Sequence, residues 1–310
     1  SSPLICIGTS ILLLNISLYI ANNSSLSGDP GAYPLTGSLT ATGTLKNPLA
    51  ILCNFKFNLL ILKCEVTAFS GNGKRKEKQE IRIKNMCTVT YLPIGDVDFI
   101  LTSNRDEQPS RKTIAPKVYV EDGVELTYPK DELAGGTWIG LSDRNRLVCL
   151  LNGGFEAYER ATSYKMSRGI IVKAILTSDD FESYVKDFDF IGIEPFTIVL
   201  VDWNQQLKTY ELVWDGTEKH FSKLKNEPKI WSSSTLYTKE EKELRKVWFK
   251  DWLANHSEYN QQEILKFHHN SDIGTQENSP KMKRSYVETV SVTSVKKEYT
   301  RVEMNYKSFI

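Results

Sequence analysis

Along the 310 residues, the pattern of apolar and polar positions changes character near residue 86. Beyond that point, short β-branched and apolar runs predict strands over 87–92, 98–104, 117–119, 137–142 and 147–152. Helices follow over 167–176 and 179–187, then strands over 196–203, 207–214 and 229–233. Two further helices are predicted over 239–256 and 261–268; in the first, Leu244, Val247, Trp248, Trp252 and Leu253 recur at helical spacing. Strands over 286–295 and 301–306 come last. Strand runs on either side of central helices predict a layered α+β protein, and no internal repeat is present.

The first 85 residues follow neither period. Residues 4–20 read LICIGTSILLLNISLYI, an apolar stretch broken by Gly8, Thr9, Ser10, Asn15 and Ser17. A spanning helix needs about 20 predominantly apolar residues, and a signal peptide needs a positive segment ahead of its apolar core. Neither is met, so no stable membrane insertion is expected. Residues 21–50 are rich in Ser, Gly, Thr and Pro without periodicity, the composition of loop or disorder. A charge run, KRKEKQE, then leads towards Met86. The organisation expected is a largely unstructured leader over 1–85 and one domain over 86–310. Three origins for the leader stay open: mis-annotated upstream sequence, a cleaved segment, or a genuine appended region. Each places the working protein at or after Met86.

Composition sharpens that division. With 40% apolar and 25% charged residues, the whole is an ordinary globular chain. All six Trp and all four His lie after residue 86. Residues 1–85 carry nine Lys/Arg against four Asp/Glu, leaving 30 against 34 for the remainder. A mildly acidic body lacks the clustered cations that nucleic acid binding needs, so no nucleic acid partner is expected. Five scattered Cys without a CxxC pair argue against a disulfide scaffold or structural zinc, and for a reducing, cytoplasmic setting. His268-His269 has no third ligand at useful spacing and reads as an exposed helix end. No metal and no cofactor are expected.

Candidate chemistry sits at the first two strands of the body. Between them, PIGDVD carries turn chemistry at Pro93, Gly95 and Asp96, which predicts a hairpin. With Gly95 and Asp96 at its centre, paired positions sum to 191 and Cys87 faces Asn104. A bulge would shift this register by one residue without separating the groups. The thiol then lies beside Asn104-Arg105-Asp106-Glu107. If Met86 is removed, Cys87 offers a thiol of ordinary pKa about 8.5 and a free α-amine of about 7.7–8.0. That amine can act as general base for its own side chain. Arg105 would stabilise the thiolate, and Asp106 would orient the α-ammonium through a charge-assisted hydrogen bond. The other reading leaves Cys87 a buried strand residue and the charged tetrad a solvated turn with Asn and Asp as caps.

MCTVTYLP, LTSNRDE, AGGTWIGLS and LVCLLNGG together resemble the NRDE family, also called the transport and Golgi organisation protein 2 family, over most of 86–310. Nothing in 1–85 resembles it. The resemblance implies the N-terminal-nucleophile hydrolase fold, a four-layer αββα sandwich with two packed, mainly antiparallel sheets. The pattern is similar to that of penicillin V acylases and bile-salt hydrolases, which cleave amides with an N-terminal Cys. It implies Cys87 as nucleophile and base, Arg105 and Asp106 as charged partners, Asn152 as an oxyanion-hole donor and Arg284 as a late active-site arginine. A hairpin turning at Asp143-Arg144-Asn145 would return Asn152 opposite Gly136, where its amide NH2 can donate to a developing oxyanion. The other reading of Asn152-Gly153-Gly154 is a plain turn. Where the acylases carry another Asn, this chain has Ser232-Ser233-Ser234-Thr235, so one polar contact is missing or supplied by a hydroxyl. No GxSxG elbow accompanies the triple Ser.

The expected function is hydrolysis of a linear, non-peptide amide through a Cys87 thioester, with a small-molecule amide or acyl substrate. The alternative is a non-catalytic relative that handles acyl-CoA, other lipids or haem, although the sequence has no CxxCH.

Overall fold

The computed structural model describes two paired strands, Leu4–Ile7 (β1) and Ser10–Leu13 (β2), and residues 86–310 apart from Leu236. The rest of 1–85, with the expectations placed on it, lies outside the described residues. By its internal contacts the chain divides into Ser1–Ile81 and Arg82–Ile310. All remaining elements belong to the second unit.

Strands Met86–Ile94 (β3) and Asp98–Glu107 (β4) form the expected hairpin. Alternation sorts their side chains: Cys87, Val89, Tyr91, Phe99 and Leu101 enter one apolar core, whereas Leu92 and Ile100 enter another. All ten residues of β4 are buried because both of its faces are covered. The connection is three residues, Gly95-Asp96-Val97, and opens with Gly95 at φ 61°, a conformation that favours glycine. Pairing therefore places Cys87 opposite Arg105 and Thr88 opposite Asn104. The expected Cys87–Asn104 pairing is corrected by one residue, and in a strand one residue decides the face. Arg105 is the thiol's neighbour, and Asn104 points to the other side of the sheet.

A seven-stranded antiparallel sheet is built from β5 (Thr113–Glu121), β6 (Val124–Asp131), β7 (Ile139–Ser142), β8 (Arg146–Asn152), β9 (Phe196–Asp202), β10 (Lys208–Trp214) and β11 (Lys219–Lys223). Its order is β11-β10-β9-β8-β7-β6-β5. β12 (Lys229–Ser232), β13 (Glu288–Glu298) and β14 (Arg301–Ser308) join the first hairpin in a five-stranded antiparallel sheet of order β12-β3-β4-β13-β14. α1 (Arg168–Thr177) packs on β6, β7 and β8 and touches α2 (Phe181–Asp187). α3 (Lys239–Ala254) covers β12, while α4 (Gln261–His269) covers β4 and β13. β3 meets β8 across the two sheets. The layers are thus αββα, the α+β class and the sheet pairing that were expected. Among the described residues, no helix is long and apolar enough to cross a membrane.

The helix α3 starts at a capping box formed by Thr238 and Glu241, but its buried side differs from the one expected. Leu244 and Val247 are exposed, whereas Arg245 and Phe249 are buried, with Trp248, Trp252 and Leu253 packed at the margin of the second core. The expected exposed helix end at His268 is also corrected. His268 is fully buried and bridges α4 to the sheet, Nδ1 to Asn104 Oδ1 at 3.1 Å and Nε2 to Thr90 Oγ1 at 2.8 Å. Burial brings its pKa down to about 3, so the ring is neutral.

Candidate active site

Cys87 lies on the intersheet face of β3, 5% exposed, across from Arg105. Removal from water is the main cause that lifts its thiol well above the ordinary pKa; Cys149, Asp106 and Glu107 add to the rise, and Arg105 opposes it. Met86 precedes it in the strand, so the nitrogen of Cys87 is here a peptide nitrogen. While Met86 remains attached, the thiol has no amine beside it.

Arg105 donates from Nη2 to Asp131 Oδ2 at 2.7 Å and to Glu107 Oε2 at 3.5 Å, and from Nη1 to Thr113 Oγ1 at 3.2 Å. Arg111 meets the same carboxylates, Nε to Asp131 Oδ2 at 2.7 Å and Nη1 to Glu107 Oε2 at 3.4 Å. Two cations and two carboxylates therefore tie the end of β4 to the end of β6, with the charges compensated in place. The Trp138 ring lies 4.5 Å from the Arg105 guanidinium carbon. Asp131 also accepts the backbone N–H groups of Leu133 and Ala134 through Oδ1, at 3.1 and 2.8 Å, and so shapes the turn that leads to Gly136.

Asp106 is supported from the opposite face. Its Oδ1 accepts from Thr289 Oγ1 at 2.6 Å, and its Oδ2 accepts from Tyr237 OH at 3.1 Å. A register shift in β13 between Thr289 and Ser291 falls beside it, a kind of irregularity that re-aims side chains. Burial pushes Asp106 up to about 6, against the pull of Arg245, the two hydroxyls and Arg284. The tetrad is not a solvated turn: Asn104 to Glu107 are all buried inside β4. Asn104 donates to the carbonyls of His268 and Pro280 at 2.9 and 2.8 Å, which holds α4 and the segment after it.

The two faces meet at one cavity of about 90 Å³, where Cys87, Arg105 and Asp106 are joined by Trp138, Asn152 and the first turn of α1. The β7–β8 hairpin turns at Asp143-Arg144-Asn145 and pairs Ile139 with Cys149, the register that carries Asn152 back to Gly136. Both Gly136 and Asn152 line the cavity. A Cβ on Gly136 would lie 3.0 Å from the Cα of Gly169, and one on Gly169 would lie 2.9 Å from the backbone of Thr137. Only glycines let α1 approach so closely, and that approach forms one wall.

Arg284 does not line this cavity. It pairs with Glu241 at 3.0 Å, donates to the Glu277 carbonyl at 2.9 Å, and lies 5.6 Å from the Tyr237 ring centre. Two of the triple Ser are engaged with backbone: Ser233 Oγ donates to the Asn152 carbonyl and Ser234 Oγ to the Gly154 carbonyl at 2.6 Å. Five contributors have no role in the sequence reading: Arg111, Asp131, Tyr237, Arg245 and Thr289. Asp131 carried a local signal, an Asp ahead of a glycine-containing turn. Tyr237 and Arg245 carried none, because Tyr237 reaches Asp106 across 131 residues and Arg245 reaches Thr88 across 157.

Fold and site together define a four-layer αββα protein whose candidate centre is a strand-start cysteine beside a buried Asn-Arg-Asp-Glu run. The family model described as Transport and Golgi organisation 2 matches residues 86–306, and the chain belongs to that family. No curated protein matches the chain. Among solved structures, a Caenorhabditis elegans N-acylethanolamine-hydrolyzing acid amidase ortholog is similar at TM-score 0.48 and 13% identity, covering 67% of this chain and 92% of its own. A mutant conjugated bile acid hydrolase from Clostridium perfringens gives 0.41 and 8%, over 72% and 92% of the two chains. Penicillin V acylase from Agrobacterium tumefaciens gives 0.35 and 8%, over 72% and 86%. At these scores and identities, no residue role passes from them to this chain.

Proposed function

We propose that this chain, when it begins at Cys87, is a cysteine amidase acting on a small linear, non-peptide amide. The observation that supports it most is the convergence of Cys87, Arg105, Asp106 and Asn152 on one cavity. The Cys87 α-amine takes the Sγ proton, and the thiolate adds to the amide carbon. The oxyanion that forms is stabilised by the Asn152 side-chain amide, the donor implied by family resemblance. The α-ammonium then protonates the leaving nitrogen as the C–N bond breaks, which leaves a thioester on Cys87. Water, deprotonated by the same amine, adds to the thioester carbon; the C–S bond breaks, releasing the carboxylic acid and restoring the thiol. Asp106 holds the ammonium, and Arg105 favours the thiolate that burial alone would suppress.

Both cysteines of the described unit are free thiols, a state that a reducing, cytoplasmic compartment preserves.

The test is a chain released from a fusion so that Cys87 is its first residue, incubated with a panel of acyl amides. Turnover and a mass increase on Cys87 are expected. Cys87→Ala is expected to abolish both, and Asn152→Ala to lower kcat by roughly 10²–10³. Turnover that survives Cys87→Ala would sink the reading.

A further inference from the structure

Arg245 is 1% exposed, and none of its described hydrogen-bond partners is a carboxylate. Its partners are all neutral: the Asn278 carbonyl from Nε at 3.1 Å, Thr88 Oγ1 from Nη1, and Tyr237 OH and the Ser279 carbonyl from Nη2 at 2.7 and 2.6 Å. A buried guanidinium needs a counter-charge, and here it sits one phenol away. Arginine only donates, so the Tyr237 oxygen accepts from Arg245 and its proton is left to donate to Asp106 Oδ2, at 3.1 Å. The Tyr237 ring is flanked by two guanidinium carbons, Arg245 at 3.8 Å and Arg284 at 5.6 Å from its centre. Asp106 in turn pairs across the hairpin with Met86, the residue whose removal would free the Cys87 nitrogen.

We infer that Tyr237, clamped between Arg245 and Arg284, is a positioning residue that keeps Asp106 charged and aimed at the nitrogen of Cys87. This rests on the reading of Cys87 as an N-terminal nucleophile. The clamp gives Arg284 a role that its distance from the cavity otherwise denies it: the late arginine acts on the carboxylate through an aromatic ring.

The charged and titratable groups facing Asp106 are Arg245 from α3, Tyr237 from the segment before it, Arg284 from the segment before β13, and Cys87 from the neighbouring strand; Thr289 on β13 adds its hydroxyl. The test is carboxyl-carbon NMR of the full chain with labelled aspartate, the Asp106 signal identified by its loss in Asp106→Asn. The unsubstituted chain is expected to titrate at about 6. Tyr237→Phe removes a hydrogen bond to the charged form and is expected to raise that midpoint by about one unit. Arg284→Gln, at a partly exposed site, is expected to raise it by a smaller amount. An unmoved midpoint in a folded Tyr237→Phe overturns the inference; if that variant does not fold, an unmoved midpoint in Arg284→Gln does so. In the chain beginning at Cys87, the acid limb of kcat/KM is expected to move up with the Asp106 midpoint, whereas a merely structural role would lower the rate at every pH. A moved titration with an unmoved limb overturns the positioning role. Absence of turnover in the unsubstituted chain sinks the proposed amidase instead, and the titration still decides the clamp.

Discussion

Asp106 and His268 are buried on the same side of the five-stranded sheet, and their protons are displaced in opposite senses. Asp106 is pushed up to about 6 and His268 down to about 3, each chiefly by loss of water. The folded state binds the Asp106 proton more tightly than the unfolded chain does, so this contribution to stability is full below the unfolded value near 4 and is lost as pH rises through 6. Glu107, raised by burial, acts in the same sense. Folded His268 resists protonation, so its contribution is full above the unfolded value near 6.5 and is lost as pH falls towards 3. Each slope is about 1.4 kcal/mol per pH unit, and between about 4 and 6 the two oppose one another. Urea titrations across that window are expected to separate them. Relative to the unsubstituted chain, Asp106→Asn should lose more stability on acidification, and His268→Gln should lose more as pH rises. Across two units each difference should reach roughly 2–3 kcal/mol. Parallel profiles for all three proteins would show that neither group titrates as its burial implies.

At the scale of elements, the close approach of α1 to the Gly136–Thr137 backbone sets the cavity wall. Gly169→Ala tests it because two effects compete. Helix propensity alone would favour alanine by up to about 1 kcal/mol, whereas a new Cβ 2.9 Å from both the nitrogen and the oxygen of Thr137 meets backbone that cannot step aside. Overpacking of this kind costs about 1–3 kcal/mol, so a lower thermal midpoint and a weaker KM for any amide substrate are expected. Ile170→Ala, one residue on and largely exposed, should stay within about 0.5 kcal/mol. A Gly169→Ala protein as stable as its parent would mean the wall yields. The elements themselves were largely legible, because β-branched runs and helical spacing are local properties. Within the unit Arg82–Ile310, β6 and β11 were not: the first contains Pro129 and several charges, and the second is a short edge strand whose one apolar residue is Phe221. The hairpin register failed by one because turn residues announce a turn without stating whether it holds two residues or three.

Across the whole molecule, the candidate site draws on all four layers: the thiol and its arginine from one sheet, Asn152 from the other, a wall from α1 and the Asp106 support from α3 and β13. The motif residues Cys87, Arg105, Asp106 and Asn152 could be read from sequence as a set, but their supports could not. Thr289 reaches Asp106 across 183 residues, and only the completed sandwich brings them together. Both apolar cores lie within the unit Arg82–Ile310, so a chain starting at residue 82 is expected to keep a cooperative urea transition of its own. Starting instead at Cys87 removes no residue of either core, yet it changes the chemistry at the sheet end. In the longer chain the thiol has no amine beside it and burial holds its proton, so alkylation should begin only at strongly alkaline pH. With Cys87 first, the α-amine accepts that proton and alkylation should rise through the neutral range, near the amine's ordinary value of about 8. Comparing the two chains by mass after timed exposure to iodoacetamide separates these outcomes. Coincident pH profiles would leave Cys87 a strand cysteine, however well its neighbours are arranged.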